Sequence, residues 1–238
     1  MLQMQHEAEQ FKIRFIPGQS SKRIEEDHFA RYKFASQFVQ GKEVLDIACG
    51  VGYGSKLLKD AGAKNVDGVD LSDEAIDYAK IHYCTSGVNF FVASAESYLP
   101  DKKYGVIVSF VTIEQIPDFR AALRNFYNLL KPKGLLIISS PNRIVTSPDL
   151  KNISDKPINL IHAREFTGQE LLKELELCGF VASGECMFGQ RQRIFLANKY
   201  LRRLHKIIFN SDSKSSPAVE SIKNGRQPRY FIIKINRL

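Results

Sequence analysis

The 238-residue chain contains no tryptophan, only four cysteines and no long apolar run. The cysteines, at positions 49, 84, 178 and 186, show no C-x-x-C spacing. This pattern argues against a disulfide framework or a zinc site and favours a reducing compartment. No apolar stretch approaches the roughly 20 residues that a membrane-spanning helix needs, and the first residues do not form a signal-peptide pattern. These absences predict a cytoplasmic protein without a bound metal.

Basic residues are concentrated towards the end of the chain. The net charge is +8, from 34 basic and 26 acidic residues. Positions 187–238 contain twelve Lys and Arg and two acidic residues, a net charge of +10. Residues 1–186 therefore have a net charge of −2. Residues 194–209 have the spacing of a basic amphipathic helix. Two interpretations are open: this helix contacts an anionic membrane surface or a phosphate-bearing acceptor, or it packs its apolar stripe on the body of the protein.

Apolar runs of strand length alternate with segments of helical periodicity between residues 21 and 188. Strand and helix in repeated alternation predict a parallel sheet covered by helices on both faces. A last strand is expected at 230–235. The other predicted strands are 43–48, 65–70, 88–92, 104–109, 135–139 and 180–187, and the predicted helices are 21–38, 54–61, a segment from Ser72, 118–130 and 167–177.

Three glycines, Gly50, Gly52 and Gly54, follow the first predicted strand. Glycine lets the backbone turn sharply and pass close to a ligand, and the helix that follows directs its first N–H groups at that turn. The second predicted strand ends in Asp70, at the same edge of the sheet. A carboxylate there accepts hydrogen bonds from the hydroxyls of a ribose. The two strands together predict a site for a nucleoside-containing cofactor.

The glycine spacing discriminates between classes of nucleoside-binding protein. Dinucleotide-binding turns have the pattern G-x-G-x-x-G, whereas this turn is G-x-G-x-G and position 55 is a serine. Asp46, in the strand, would repel a pyrophosphate but attract a cationic amino-acid group. The segment resembles motif I of the class I S-adenosylmethionine (SAM) methyltransferases. A nicotinamide dehydrogenase and an ordinary strand–turn–helix are the alternatives.

The resemblance extends over about residues 24–188 and carries expectations for the whole chain. It implies a Rossmann-like, seven-stranded, mostly parallel sheet with helices on both faces, an antiparallel last strand and a helical insertion before that strand. The expected division is an N-terminal helical segment on the lid or acceptor side (1–40), a SAM-binding core (41–188), a basic helical insertion (189–229) and the last strand (230–238).

The resemblance also implies SAM as the cofactor and assigns residues to it. Asp70 matches the ribose-binding acid of the family. Ser94 stands where the family commonly has an aspartate that binds adenine, so that the backbone of Ala95 is expected to share this contact. Gln115 stands where the family often has histidine. The expected cofactor-binding residues are Tyr32, Asp46, Ala48, Gly50, Gly52, Asp70, Leu71, Ser94, Ala95, Glu96, Phe110 and Gln115.

Residues 159–167 resemble a segment of quinone-type and sugar-type O-methyltransferases, so a hydroxyl acceptor is expected. Methylation of a hydroxyl requires a base that removes its proton. The candidates are His162 and His28, because both flanking regions are expected at the carboxyl edge of the sheet. Arg143 and Arg164 are expected beside the acceptor, where a guanidinium binds carboxylate or phosphate. A structural or surface role is the alternative for each of the four.

The sequence therefore predicts a SAM-dependent methyltransferase that acts on an oxygen atom of a small molecule or of a glycan-linked or lipid-linked precursor. An RNA methyltransferase is a second hypothesis, prompted by the basic tail. Nucleic acid is not the expected partner, because the tail lacks a series of stacking aromatics and no RNA-binding module precedes the core. A SAM-binding partner protein without catalysis is a third hypothesis. The oligomeric state is left open.

Overall fold

A computed structural model describes residues 15–194 and 215–238 of the chain. The strands are β1 (Glu43–Ile47), β2 (Asn65–Asp70), β3 (Val88–Val92), β4 (Tyr104–Phe110), β5 (Leu130–Pro141), β6 (Phe180–Val181), β7 (Met187–Gln190), β8 (Arg193–Ile194), β9 (Glu220–Ser221), β10 (Arg226–Gln227) and β11 (Tyr230–Arg237). The helices are α1 (Lys22–Ala35), continued by a 3-10 turn (Ser36–Phe38), α2 (Tyr53–Asp60), α3 (Asp73–Tyr83), α4 (Phe119–Leu129), α5 (Arg143–Thr146) and α6 (Gly168–Leu177).

One large sheet has the strand order β3-β2-β1-β4-β5-β11-β7-β9, and β6 also pairs with β11. Strand β1 lies between β2 and β4, parallel to both. The chain order therefore reverses at β1, and such a reversal opens a crevice for ligands at the carboxyl ends of the strands. Strand β11 runs antiparallel to both β5 and β7. The predicted mostly parallel sheet with an antiparallel last strand is thus confirmed.

The two faces of the sheet bury different apolar clusters, because successive side chains of a strand point to opposite faces. Leu45, Ile107 and Ile138 pack on one face with side chains of α4 and α6. Val44, Val106 and Ile137 pack on the other face with side chains of α1 and α2. Helix α1 thereby lies across the sheet, with its Tyr32 in the second cluster, beside the turn that follows β1.

The end of the chain adds more strands than the seven that were predicted. The predicted sixth strand is divided into β6 and β7, and Gly184 between them has a left-handed φ of 63°. The expected insertion contributes β9 to the sheet edge and a separate two-stranded pairing of β8 with β10. The basic helix was predicted at 194–209. Its first residue, Ile194, belongs to β8 instead, and residues 195–209 lie outside the described part of the chain. The limits proposed for the insertion stay a prediction. None of the described helices has the length and apolar character required to cross a bilayer.

Candidate functional site

The turn after β1 leaves an open space above one glycine. Gly50 has a left-handed φ of 55°, and a Cβ atom placed on it would have no other atom within 4 Å. At Gly52, by contrast, a Cβ would lie 2.6 Å from the Cβ of Ala79. At Gly54 it would overlap the ring of Tyr32. Gly50 thus faces the crevice, whereas Gly52 and Gly54 permit close packing of the surrounding helices and strands.

Backbone strain marks the same edge of the sheet. Ala48, after β1, and Val111, after β4, both have left-handed φ values, 57° and 55°, although neither is glycine. Such conformations cost about 1–3 kcal/mol each and are concentrated at binding and catalytic sites. Their occurrence after two neighbouring parallel strands agrees with a ligand site at this edge.

Asp70 lies at the end of β2 and turns its carboxylate towards the glycine turn. Its Oδ2 accepts a hydrogen bond from the backbone N–H of Gly50 at 2.9 Å, and its Oδ1 accepts one from Ser72 at 3.0 Å. A carboxylate accepts hydrogen bonds at both of its oxygens, which is the chemistry that the hydroxyls of a ribose require. Leu71 beside it is 74% exposed, which leaves an apolar surface next to the carboxylate.

Asp46 is buried instead of facing the crevice directly. The Ser55 hydroxyl donates to its Oδ2 at 2.7 Å, and the Tyr32 hydroxyl lies 3.1 and 3.2 Å from its two oxygens. Burial, with a further contribution from the nearby charge of Asp70, raises the pKa of Asp46 to about 7, although both hydroxyl groups oppose the shift. Ser55, which stands where a dinucleotide-binding turn has its third glycine, therefore donates a hydrogen bond to Asp46 of β1.

Aromatic side chains of α1 cover the turn. The Tyr32 ring packs edge-on against Tyr53 and Phe110, with centroid distances of 5.3 and 5.1 Å. His28 stacks on Phe15 at 4.3 Å, and its Nδ1 lies 2.9 Å from the Tyr53 hydroxyl. These contacts place Tyr32 and Phe110 beside the turn, and their contact with a cofactor stays a prediction.

The environment of His28 corrects its expected role as a base. Burial, assisted by the charge of Arg31, lowers the pKa of His28 to about 2. An imidazole with so low a pKa accepts a proton poorly at neutral pH. Its contacts with Phe15 and Tyr53 indicate that His28 packs the aromatic cover.

The segment after β3 forms a compact turn. The Ser94 hydroxyl is bonded to the carboxylate of Glu96 and also accepts a hydrogen bond from the Glu96 backbone N–H at 3.2 Å. The carbonyl of Ala95 accepts from the Asn125 side chain at 2.9 Å. The Gln115 side chain is exposed and donates to the carbonyl of Val111 at 2.9 Å. Contact of Ser94, Ala95, Glu96 and Gln115 with a cofactor stays a prediction.

His162 has a defined hydrogen-bond arrangement. Its Nδ1 lies 2.8 Å from Oε1 of Glu165, and its Nε2 lies 2.9 Å from Nδ2 of Asn159. Asn159 is oriented by its own Oδ1, which accepts from the backbone N–H of Ile161 at 3.2 Å. A carboxylate only accepts and an amide nitrogen only donates. The network therefore assigns the proton of neutral His162 to Nδ1 and leaves a basic lone pair on Nε2.

Glu165 orients His162 from a buried position. Burial alone would raise the pKa of Glu165, but the hydrogen bonds from His162, Thr146 and Ser147 outweigh it and lower the pKa. The Thr146 hydroxyl donates to Oε2 at 2.7 Å. Glu165 is thus held as an anion beside the imidazole, the arrangement that fixes the tautomer of a catalytic histidine.

A second buried carboxyl group, that of Glu114, lies in the same neighbourhood. Its Oε2 accepts from the Ser140 hydroxyl at 3.2 Å, whereas its Oε1 is buried without a hydrogen-bond partner. Burial raises its pKa to about 7, against the opposing charges of His162 and Arg31. Helix α1, the segment after β4 and the loop after β5 therefore converge here, at the carboxyl edge of the sheet.

The side chains of Arg143 and Arg164 both contact other residues of the protein. Arg143 is buried and ion-paired with Glu170 at 2.6 Å. Arg164 donates to the carbonyls of Ile116 and Pro117 and lies over the ring of Phe119 at 4.6 Å. Both residues lie in the part of the chain that follows β5, and their side chains contact other residues of the protein. These contacts do not support acceptor binding by either residue, which stays a prediction.

Sequence reasoning missed two members of the site. Glu165 carried a usable signal, because it lies three residues after His162 in a segment already singled out. Glu114 carried a weaker one, as the acid of the Glu-Gln pair after β4.

Comparison with protein families and solved structures agrees with this geometry. Residues 21–182 match the family model described as "Methyltransferase domain". A "Probable S-adenosylmethionine-dependent methyltransferase" of Mycolicibacterium smegmatis is 33% identical over 172 residues, which cover 70% of this chain and 63% of that protein. A ubiquinone biosynthesis O-methyltransferase of Nitrosospira multiformis is 36% identical over 107 residues, which cover 43% of this chain and 44% of that protein. The chain thus spans less than two thirds of the length of these relatives.

The fold is also found among solved structures. A SAM-dependent methyltransferase of Mesorhizobium loti superposes with a TM-score of 0.60 over 89% of this chain and 100% of its own, at 16% sequence identity. At this identity the likeness supports the fold alone.

Proposed function

Because this chain belongs to the class I SAM-dependent methyltransferases, we propose that it transfers the methyl group to a hydroxyl oxygen of a small molecule. The observation that carries the proposal is the pairing of His162 with the buried anion of Glu165. This pairing leaves Nε2 of His162 as a base at the edge of the sheet where the glycine turn lies. The relatives named as ubiquinone biosynthesis O-methyltransferases support a hydroxyl acceptor.

The residues of the turn fit SAM. Gly50 presents open space where a side chain would block a ligand, and the Asp70 carboxylate lies beside it. Tyr32 covers the turn, and a cationic ligand beside Asp46 would favour the ionised form of this carboxyl group, whose pKa burial raises. When bound, SAM supplies an electrophilic methyl group that a nucleophile attacks in line.

The protein's own part in the reaction is to position the acceptor and remove its proton. We propose that the acceptor hydroxyl replaces the Asn159 amide at Nε2 of His162. Nε2 takes the hydroxyl proton as the oxygen attacks, and Glu165 stabilises the imidazolium that results. Holding acceptor and donor in line supplies a large further share of the rate advantage.

Mutation of His162 tests this proposal. Labelled SAM and fractionated extract of the source cell identify the fraction that wild-type protein methylates, and turnover is then measured on that fraction. His162→Ala is expected to lower turnover by about 10²- to 10⁴-fold, with unchanged affinity for S-adenosylhomocysteine. The matched control is His82→Ala, on the exposed surface of α3. Full activity of His162→Ala, with a flat pH–rate profile from pH 5.5 to 8.5, would show that the acceptor needs no base.

The basic segment at 194–209 supports a separate proposal, contact with an anionic surface or a lipid-linked acceptor. Its charge, within a net of +10 from position 187 onward, is the only support for this contact. Co-sedimentation with anionic and neutral vesicles at low salt tests the proposal, because such attraction is strongest there. Equal pelleting with both vesicle types would exclude a charge-driven contact.

A further inference from the structure

Strand β3 forms one edge of the large sheet. Among the described residues it pairs with β2 alone, in regular register along its whole length. Residues 84–95, which include β3, contain no charged side chain and no proline. Proteins commonly protect an edge strand with charges, proline, a bulge or very short length, because an unprotected edge pairs with other strands. β3 has none of these protections.

The opposite edge of the same sheet is protected. Strand β9 is only two residues long, and its Glu220 carries a charge, 3.3 Å from the ammonium group of Lys223. A short, charged strand offers another strand little to pair with. The two edges therefore differ, and β3 is the one suited to pairing.

The backbone of β3 has hydrogen-bonding groups that point away from β2. Val66 of β2 donates to the carbonyl of Gly87, and Ala93 donates to the carbonyl of Asp70. Residues of a paired strand alternate between facing the neighbouring strand and facing away from it. The N–H and C=O groups of Phe90 and Val92 therefore face away from β2. Residues 15–194 and 215–238 provide no hydrogen bond to these groups.

The side chains of β3 add apolar surface on both faces of this edge. Phe90 packs beneath α3, against Ile76 and Ala79. Val92 lies on the same face and is 45% exposed. Phe91 points to the opposite face, because side chains alternate along a strand, and it is 42% exposed. A second strand at this edge would cover Phe91 and Val92 together.

The charges of α3 favour a second copy of this chain as the source of that strand. Helix α3 begins with Asp73 and Glu74 and carries Lys80 and His82 in its last turn. Antiparallel pairing of β3 with its own copy has a twofold axis perpendicular to the sheet. The two α3 helices then lie side by side on the same face, antiparallel to each other. The acidic start of each helix thus lies towards the basic end of the other, and the opposed helix dipoles favour the same arrangement.

We propose that β3 pairs antiparallel with β3 of a second copy of this chain, with Phe91 at the twofold axis. In this register Phe90 of each copy lies opposite Val92 of the other, and each such pair exchanges both of its outward N–H···O=C bonds. Phe91 occupies a non-hydrogen-bonded position, where facing side chains are closest. The two exposed rings therefore cover each other. A register centred on Phe90 would instead require Val88, whose N–H already donates to the carbonyl of Thr85 at 2.9 Å.

Sedimentation velocity of the purified protein, from about 1 to 100 µM, tests the proposal. The wild-type protein is expected to shift to the mass of a dimer as its concentration rises. Phe91→Lys removes the two rings and places like charges opposite each other, so it should weaken dimerisation by about 10- to 100-fold. The matched control is Leu177→Lys, because Leu177 is 72% exposed at the end of α6, which packs on β6 and β11. This variant should dimerise like wild type.

Disulfide cross-linking tests the register. Facing residues at a non-hydrogen-bonded position have Cα atoms about 4.5 Å apart, a separation that a disulfide bridges. Phe91→Cys is made together with Cys84→Ser, because Cys84 is exposed close to β3. Mild oxidation should convert this variant to a reducible, covalent dimer. Leu177→Cys in the same Cys84→Ser background is the control and should stay largely uncrosslinked.

A wild-type protein that sediments as a monomer at every concentration would overturn the proposal. A dimer that Phe91→Lys leaves unchanged would overturn it as well, because the copies would then associate through another surface. Thermal unfolding shows whether Phe91→Lys is folded. If it is not, cross-linking decides, and no more covalent dimer with Phe91→Cys than with Leu177→Cys would exclude the proposed pairing. None of these results depends on methyl transfer, which is judged by turnover and by His162.

Discussion

The buried carboxyl group of Asp46 predicts a stability that falls as the pH rises. Its pKa is about 7 in the folded protein and 3.8 in the unfolded chain. The folded state therefore holds this proton more tightly, so the stability that it contributes is fully present below pH 3.8 and is lost as the pH rises to about 7. A shift of roughly three pKa units corresponds to about 4 kcal/mol at about 1.4 kcal/mol per unit.

Asp46→Asn removes the titration while it keeps the shape of the side chain. The Asn side chain still accepts a hydrogen bond from one hydroxyl group and donates to the other, so the contacts with Ser55 and Tyr32 are retained in number. We expect the free energy of unfolding of the variant, relative to wild type, to rise between pH 4.5 and 8 by up to about 3 kcal/mol, because part of the full shift falls below pH 4.5. Relaxation of the buried site makes this value an upper limit.

Urea unfolding of the cofactor-free protein at pH 4.5, 6, 7 and 8 measures this difference. Asp101→Asn, an exposed substitution, is the control and is expected to follow wild type. Glu114 contributes in the same sense, because its pKa is also raised to about 7, so the variant should keep part of the slope. A difference between Asp46→Asn and wild type that stays constant from pH 4.5 to 8 would refute the assignment of a buried, protonated Asp46.

Three further substitutions test the site and its cover. Asp70→Ala should weaken binding of SAM, because the carboxylate makes charge-assisted bonds worth about 1.5–3 kcal/mol each before compensation; unchanged calorimetric affinity would contradict the ribose assignment. Gly54→Ala should destabilise the protein by about 1–3 kcal/mol, because the new Cβ overlaps the Tyr32 ring; an unchanged urea midpoint would show that the ring moves freely. Arg191→Ala should cost about 3–5 kcal/mol, because it leaves buried Asp27 unpaired; a loss below 1 kcal/mol would show that water reaches the pair.

The cofactor half of the site was predictable because it is encoded locally. A strand, a glycine turn and a helix follow one another within residues 43–60, and the backbone angles of Gly50 and Gly52 require the residues that are there. Asp70 ends the neighbouring parallel strand, so strand pairing alone brings it to the same edge. Each inference needed only the order of elements and the periodicity of a strand.

The acceptor half was predicted less well because it depends on side-chain direction. Sequence position placed Arg143 and Arg164 near the correct edge, but their ion pair and carbonyl contacts arise from tertiary packing. His28 was placed correctly near the crevice, yet stacking and burial by Phe15 suppress its basicity. The hydrogen bond from Arg31 to Gln190 joins residues that are 159 positions apart, which no local pattern reveals.

The bond between Arg191 and Asp27 joins residues that are 164 positions apart in the chain. Together with the bond from Gln190 to the Asp27 carbonyl, it attaches α1 to the segment after β7. Closing so long a loop is entropically costly, and such contacts form late in folding. The glycine turn is therefore synthesised well before the residues that fasten α1 over it. A chain arrested before position 190 would carry the entire nucleoside motif and yet hold the cofactor weakly.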